Sequence, residues 1–166
     1  MLDTQSVPLE LFPCISMIAY TGRQMSLSNF SLPVVVDLKG LEIPKQNIPL
    51  LLDHELSQIV GLTMEVGIVH NELFAIGVVD DGMSFGRDVW RSGLLGFPWR
   101  ASIGMTLALP EFVDEGQFAD VNGRPVTGPC YIMRQATLQE ISLVDKGADN
   151  YTSVYFHPPK KSKGIN

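Results

Sequence analysis

Cysteine is scarce: Cys14 and Cys130 are the two in 166 residues. They are too few for a disulfide framework and lack the mutual spacing of a metal motif, so they read as reduced, buried thiols. Basic charge is scarce too, with 12 Lys and Arg against 18 Asp and Glu and a formal net charge of −6. A nucleic-acid footprint needs clustered cations over a folded face, so nucleic acid is not expected as a partner. No apolar run approaches the roughly 20 residues of a membrane span. Met1-Leu2-Asp3-Thr4-Gln5 lacks the basic start of an export signal, and a soluble, unexported chain with no membrane partner is expected. Gly82, Gly86, Gly93 and Gly96 match neither GxGxxG nor GxxxxGK[ST], which leaves nucleotide binding without support. No internal repeat is visible.

What the chain does have is apolar residues, 45% of the total, enough for one core. A single domain over residues 1–157 is expected. Residues 158–166, which include Pro158-Pro159-Lys160-Lys161, lack the apolar content to fold and read as a flexible basic tail.

Within the domain, apolar and β-branched runs at 15–20, 34–38, 50–54, 131–136, 137–144 and 153–156 read as strands. Gly61 to Val69 and Glu72 to Asp80 read as a hairpin turning at His70-Asn71. Asn122-Gly123 marks another tight turn, with Pro125 on an edge. Phe85, Val89 and Trp90 at helical spacing predict one helix between Asp81 and Ser92, capped by Asp81 or Ser84 and ended by Gly93. Residues 111–117 read as an acidic loop. This pattern predicts a mainly β (α+β) fold, an antiparallel barrel or a strongly bent sheet with few helices.

The stretch Trp99-Arg100-Ala101-Ser102-Ile103-Gly104-Met105 carries the first candidate for chemistry. As a strand it turns Ala101, Ile103 and Met105 to one face and Arg100, Ser102 and Gly104 to the other. A hydroxyl beside a residue without a side chain leaves room for a substrate backbone, but a serine needs a base. His54, where the strand 50–54 runs out, is placed to be one; its bland alternative is a half-buried histidine bonded to a backbone carbonyl. His70 in the hairpin turn and His157 beside the tail read as exposed surface. No histidine pair or Cys–His cluster has metal-ligand spacing, so neither metal nor cofactor is expected.

A third group must orient the imidazole. Alternation through Leu138-Gln139-Glu140-Ile141-Ser142-Leu143-Val144-Asp145 puts Glu140 on a face with Leu138, Ser142 and Val144, too apolar for an unpaired charge. Glu140 is therefore the better acid. Asp145 at the strand end is the runner-up, readable also as a turn residue before Lys146-Gly147. Cys130, after Pro129 with no basic neighbour, reads as core rather than nucleophile.

Leu51-Leu52-Asp53-His54-Glu55 with Ile59-Val60-Gly61, then Ala101 to Met105, then Leu138 to Val144, fall in an order that resembles the prohead serine proteases of tailed bacteriophages. The spacings, 48 residues from His54 to Ser102 and 38 from Ser102 to Glu140, belong to the likeness, which spans about Ile15 to Phe156. That family is related to the herpesvirus assemblins, β-barrels with surrounding helices. The resemblance implies a serine endopeptidase inside the immature capsid, in the bacterial cytoplasm. Its substrates would be the scaffold and major capsid proteins, and often the enzyme itself. It maps nucleophile, base and orienting acid onto Ser102, His54 and Glu140. Assemblins also dimerise, although no residue here demands a homodimer or higher oligomer. Two departures stand out. Lys146-Gly147-Ala148-Asp149-Asn150 replaces a common Pro-Ala-Asn, and no arginine follows Arg134 to serve the oxyanion loop of assemblins. A non-catalytic capsid- or scaffold-associated β-domain is the alternative, and a small-ligand β-barrel a third.

Overall fold

In a computed structural model, residues 11–107 and 110–159 are described. Three two-residue turns organise much of the chain. Asp53-His54 joins β4 (Pro49–Leu52) to β5 (Glu55–Val69), His70-Asn71 joins β5 to β6 (Glu72–Val79), and Asn122-Gly123 joins β9 (Phe118–Val121) to β10 (Arg124–Thr127). All six turn residues have positive φ, between 51° and 70°, the geometry that matches the twist of paired antiparallel strands. Asn-Gly adopts it readily; His70-Asn71 does so without the favoured sequence.

The largest sheet runs β13 (Ser153–His157), β1 (Cys14–Tyr20), β6, β5, β4, β12 (Ala136–Val144). The short β3 (Leu41–Glu42) pairs with β12 in parallel, as does β4. On the other edge of β12 lies β7 (Arg100–Leu107), antiparallel. Beside this sheet, β2 (Val34–Val36), β11 (Cys130–Met133) and β8 (Glu111–Val113) form a second sheet, and β9 with β10 a third. Val34 and Val36 enter the main core, whereas Val35 enters a smaller one with Val113, Val121, Val126, Cys130 and Ile132. A strand buried on both faces is why this run is uninterrupted Val-Val-Val.

A mostly β fold is what forms, but the sheets do not close into a barrel. β7 lies near β1 and β13 without an intervening ladder among the described residues. Thr152, just before β13, is bonded to β7 on both its groups: its hydroxyl accepts from Ala101 N–H at 3.3 Å, and its carbonyl accepts from the Arg100 side chain. Among the described residues α1 (Ser84–Leu94) is the one α-helix, and Leu38–Gly40 form a 3-10 turn.

Two other expectations also need correction. Residues 111–113 are strand β8 rather than acidic loop, because their backbone pairs with Cys130–Ile132. Helix α1 starts after Met83 with no side-chain cap, and Gly93 lies inside it instead of ending it. A Cβ on Gly93 would fall 2.3 Å from the Phe156 ring, so glycine is there for packing. Gly86 plays the same part where the helix meets the backbone of Asp80 and Val60. Of the expected tail, residues 160–166 lie outside the described residues. Among the described residues, no helix is long and apolar enough to cross a membrane.

Asn122 is buried within its turn and serves three backbone groups. Its carbonyl oxygen accepts from Leu38 N–H at 2.8 Å, and its amide donates to the Gly22 and Val36 carbonyls at 3.0 and 2.8 Å. Asn122→Ala strands all three in the interior, so urea unfolding should show a loss of about 3 kcal/mol. An unchanged midpoint would mean those groups find other partners.

Candidate active site

Pairing of β7 with β12 sets the site. Ser102 lies opposite Ser142 and Gly104 opposite Glu140, while Leu138 lies opposite Met105. Between Leu138 and Glu140, β12 therefore carries one residue more than β7, a β-bulge at Gln139. The bulge switches faces. Ala136 and Leu138 before it, and Ile141 and Leu143 after it, all enter the core. Glu140 and Ser142 are left on the face of Ser102. Strict alternation puts Leu138 beside Glu140, and the extra residue separates them.

Gly104 also has a different task from the one expected. A Cβ there would fall 1.9 Å from Glu140 Oε1, so the absent side chain makes room for the carboxylate rather than for a substrate backbone. Glu140 lies across Gly104, and its side chain is only 11% exposed.

His54 is not the end of a strand but the second residue of the β4–β5 turn, at φ 61°. Left-handed backbone costs a residue with a Cβ roughly 1–2 kcal/mol, and two hydrogen bonds to β12 hold the turn in it. Asp53 N–H donates to the Leu143 carbonyl at 3.1 Å and His54 N–H to Ser142 Oγ at 3.0 Å. The ring is thereby aimed back across β12 onto β7.

There it bridges the other two residues. His54 Nδ1 is 2.6 Å from Glu140 Oε1, and Nε2 is 2.9 Å from Ser102 Oγ. An ionised carboxylate can only accept, so Nδ1 carries the hydrogen; in the neutral ring Nε2 then accepts from the Ser102 hydroxyl. The hydrogen bond to Glu140 raises the pKa of His54 above its ordinary 6.5. Partial burial opposes the shift, and the charges of Glu140 and Asp53 add to it.

His54, Ser102 and Glu140 are thus brought together. The remaining candidates are not. Asp145 is exposed on the loop after β12, and the Nδ1 position it would serve is taken by Glu140. His70 is exposed in its turn, and the exposed His157 bonds Ser16 Oγ on β1 at 2.7 Å. Cys130 is buried in the smaller core and Cys14 is half-buried, with no disulfide between them. Among the described residues no three His, Cys, Asp or Glu side chains converge as a metal cage requires.

Ser102 and the exposed side of His54 open onto a cleft of about 1160 Å³. One wall is the 26–29 segment after β1, the other the 144–150 loop after β12. Asp149, which has no local sequence signature, fixes that second wall. Its buried carboxylate accepts from the Thr21 N–H and hydroxyl, both at 2.7 Å, and from Tyr151 N–H at 3.0 Å. Ser142 joins the site as well, although a strand serine beside an acid has no signature of its own. Compared with known proteins, the chain matches no protein-family description and no curated protein.

Two outcomes follow from this geometry. Gly104→Ala drives a methyl into the carboxylate, so it should destabilise the fold by about 1–3 kcal/mol in denaturant titration and shift the His54 ring resonances. A silent substitution would contradict the close approach. Glu140→Gln removes the principal cause of the raised pKa, and an NMR titration should show the His54 midpoint falling. A pKa raised by folding adds stability that is fully present below the ordinary histidine value and is lost as pH rises through the raised one. Glu140→Gln should weaken that acid-side gain; an unmoved midpoint would dissociate the pair.

Proposed function

We propose that this chain is a serine endopeptidase of the prohead-maturation type, with Ser102 as nucleophile, His54 as general base and Glu140 as orienting acid. The observation that carries the reading is the continuous pair of contacts through the His54 ring, 2.6 Å to the carboxylate and 2.9 Å to the hydroxyl. The resemblance of the three sequence segments to that family supports it from a second direction. An open cleft beside Ser102, walled by two loops, suits an extended polypeptide better than the closed apolar cavity of a small-ligand barrel.

In this reading, above its raised pKa the neutral His54 takes the Ser102 proton through Nε2 as Oγ attacks the peptide carbonyl. Glu140 accepts the Nδ1–H bond throughout and stabilises the imidazolium that forms. His54 then returns the proton to the leaving amine, and a water activated by the same nitrogen releases the acyl group from Oγ. The negative charge that develops on the carbonyl oxygen needs hydrogen-bond donors facing the cleft. No arginine follows Arg134, and the backbone N–H groups of the cleft-lining 145–150 loop are candidates for that role beside Lys146. Scaffold and major capsid proteins are the proposed substrates, and the interior of the immature capsid the proposed place of action.

Ser102→Ala, coexpressed with the scaffold and coat proteins of the same virus, should leave both uncleaved. Loss of a triad member costs on the order of 10⁴ or more in rate, so gel analysis suffices. A serine-directed phosphonate should label the wild-type chain stoichiometrically at Ser102. Undiminished processing by the variant rejects the assignment, and absence of labelling favours the non-catalytic β-domain.

A further inference from the structure

We propose that Ser142 is a positioning residue of this site, its single hydroxyl joining the backbone of the His54 turn to the carboxylate that orients the His54 ring. Naming what is positioned rests on the protease reading, whereas the tether is a matter of hydrogen bonds alone. Ser142 is fully buried, lies directly opposite Ser102 in the β7–β12 ladder, and shares the Ser102 face because of the Gln139 bulge. Its Oγ is 3.0 Å from His54 N and 2.7 Å from Glu140 Oε2.

The direction of both bonds is forced. A backbone N–H can only donate, so Ser142 accepts from His54. The one hydroxyl proton is then free for Glu140, which as a carboxylate can only accept. Oε2 is thereby occupied, and Oε1 is the oxygen that faces Nδ1–H. The last torsion of a glutamate is broad and weakly restrained by itself, so without this bond the carboxylate plane is free to rock. The same oxygen holds the histidine in its left-handed backbone. One group on β12 therefore fixes both partners of the ring–carboxylate bond relative to the strand that sets the register of Ser102. Small misplacements of such a group cost rate rather than affinity, since the cleft walls that would hold a substrate are built from other segments.

Threonine and valine differ at this position only in the hydroxyl, so they separate the tether from shape. Ser142→Val should lower kcat on the order of 10- to 100-fold with KM within about twofold, and Ser142→Thr should recover most of that loss. In the full chain, the far-downfield proton signal of the Nδ1–H bond to Glu140 should persist in wild type and Ser142→Thr. It should move upfield or vanish in Ser142→Val. Ser142→Ala, which only deletes the oxygen, should behave like valine and replaces it if branching prevents folding. Equal kcat in the threonine and valine variants overturns the proposal, as does a rate loss matching only the unfolded fraction in thermal melts. The proton signal needs no turnover. If the wild-type chain cleaves nothing, the protease reading fails by itself, and an unaltered signal in the valine or alanine variant would separately overturn the tether.

Discussion

The antiparallel ladder between β7 and β12, with one surplus residue on β12, is the constraint on which the site depends. Without the bulge at Gln139, Leu138 and Glu140 would share a face, and either a carboxylate would enter the core or a leucine would leave it. Both are costly, the charge far more so than the leucine. With it, the strand is apolar toward the core at both ends and polar toward Ser102 in its second half. Gly104 completes the arrangement, because Glu140 must lie flat across β7 to reach the histidine.

The turn at Asp53-His54 supplies the third residue from a strand paired on the opposite edge of β12. Hydrogen bonds from the turn to Leu143 and Ser142 offset the cost of its backbone, and the ring is left between a buried acceptor and a more exposed hydroxyl. Its side chain is 43% exposed, which leaves Nε2 open to the cleft while Nδ1 is turned inward. Among the described residues no buried side-chain nitrogen or oxygen lacks a partner, and the Asp149–Thr21 contact gives the far wall of the cleft a similarly satisfied anchor. Such networks hold a geometry because any rearrangement leaves a group unpaired in a low-dielectric interior.

Much of this was legible in the residues. The hairpin at His70-Asn71, the Asn122-Gly123 turn and the strand through Ser102 follow from local patterns, and each forms where those patterns put it. Glu140 was preferred over Asp145 because an acid amid apolar neighbours needs a partner, and it has one in His54. Alternation gives its neighbours only in part, since a bulge leaves no mark in a run such as Leu-Gln-Glu-Ile-Ser. The helix end was misplaced because Gly93 answers to Phe156 on β13, a residue distant in sequence. Strand β8 was missed because its partner, Cys130–Ile132, lies beyond an intervening hairpin.

The sequence by itself determined a β-rich chain, its tight turns and a short set of residues able to move a proton, because period, turn chemistry and side-chain type are local properties. Tertiary structure alone decided the open sheet, the face on which Glu140 emerges and the distances among His54, Ser102 and Glu140. Those depend on the register between strands far apart in the chain, and register is fixed only when all the apolar faces are buried together.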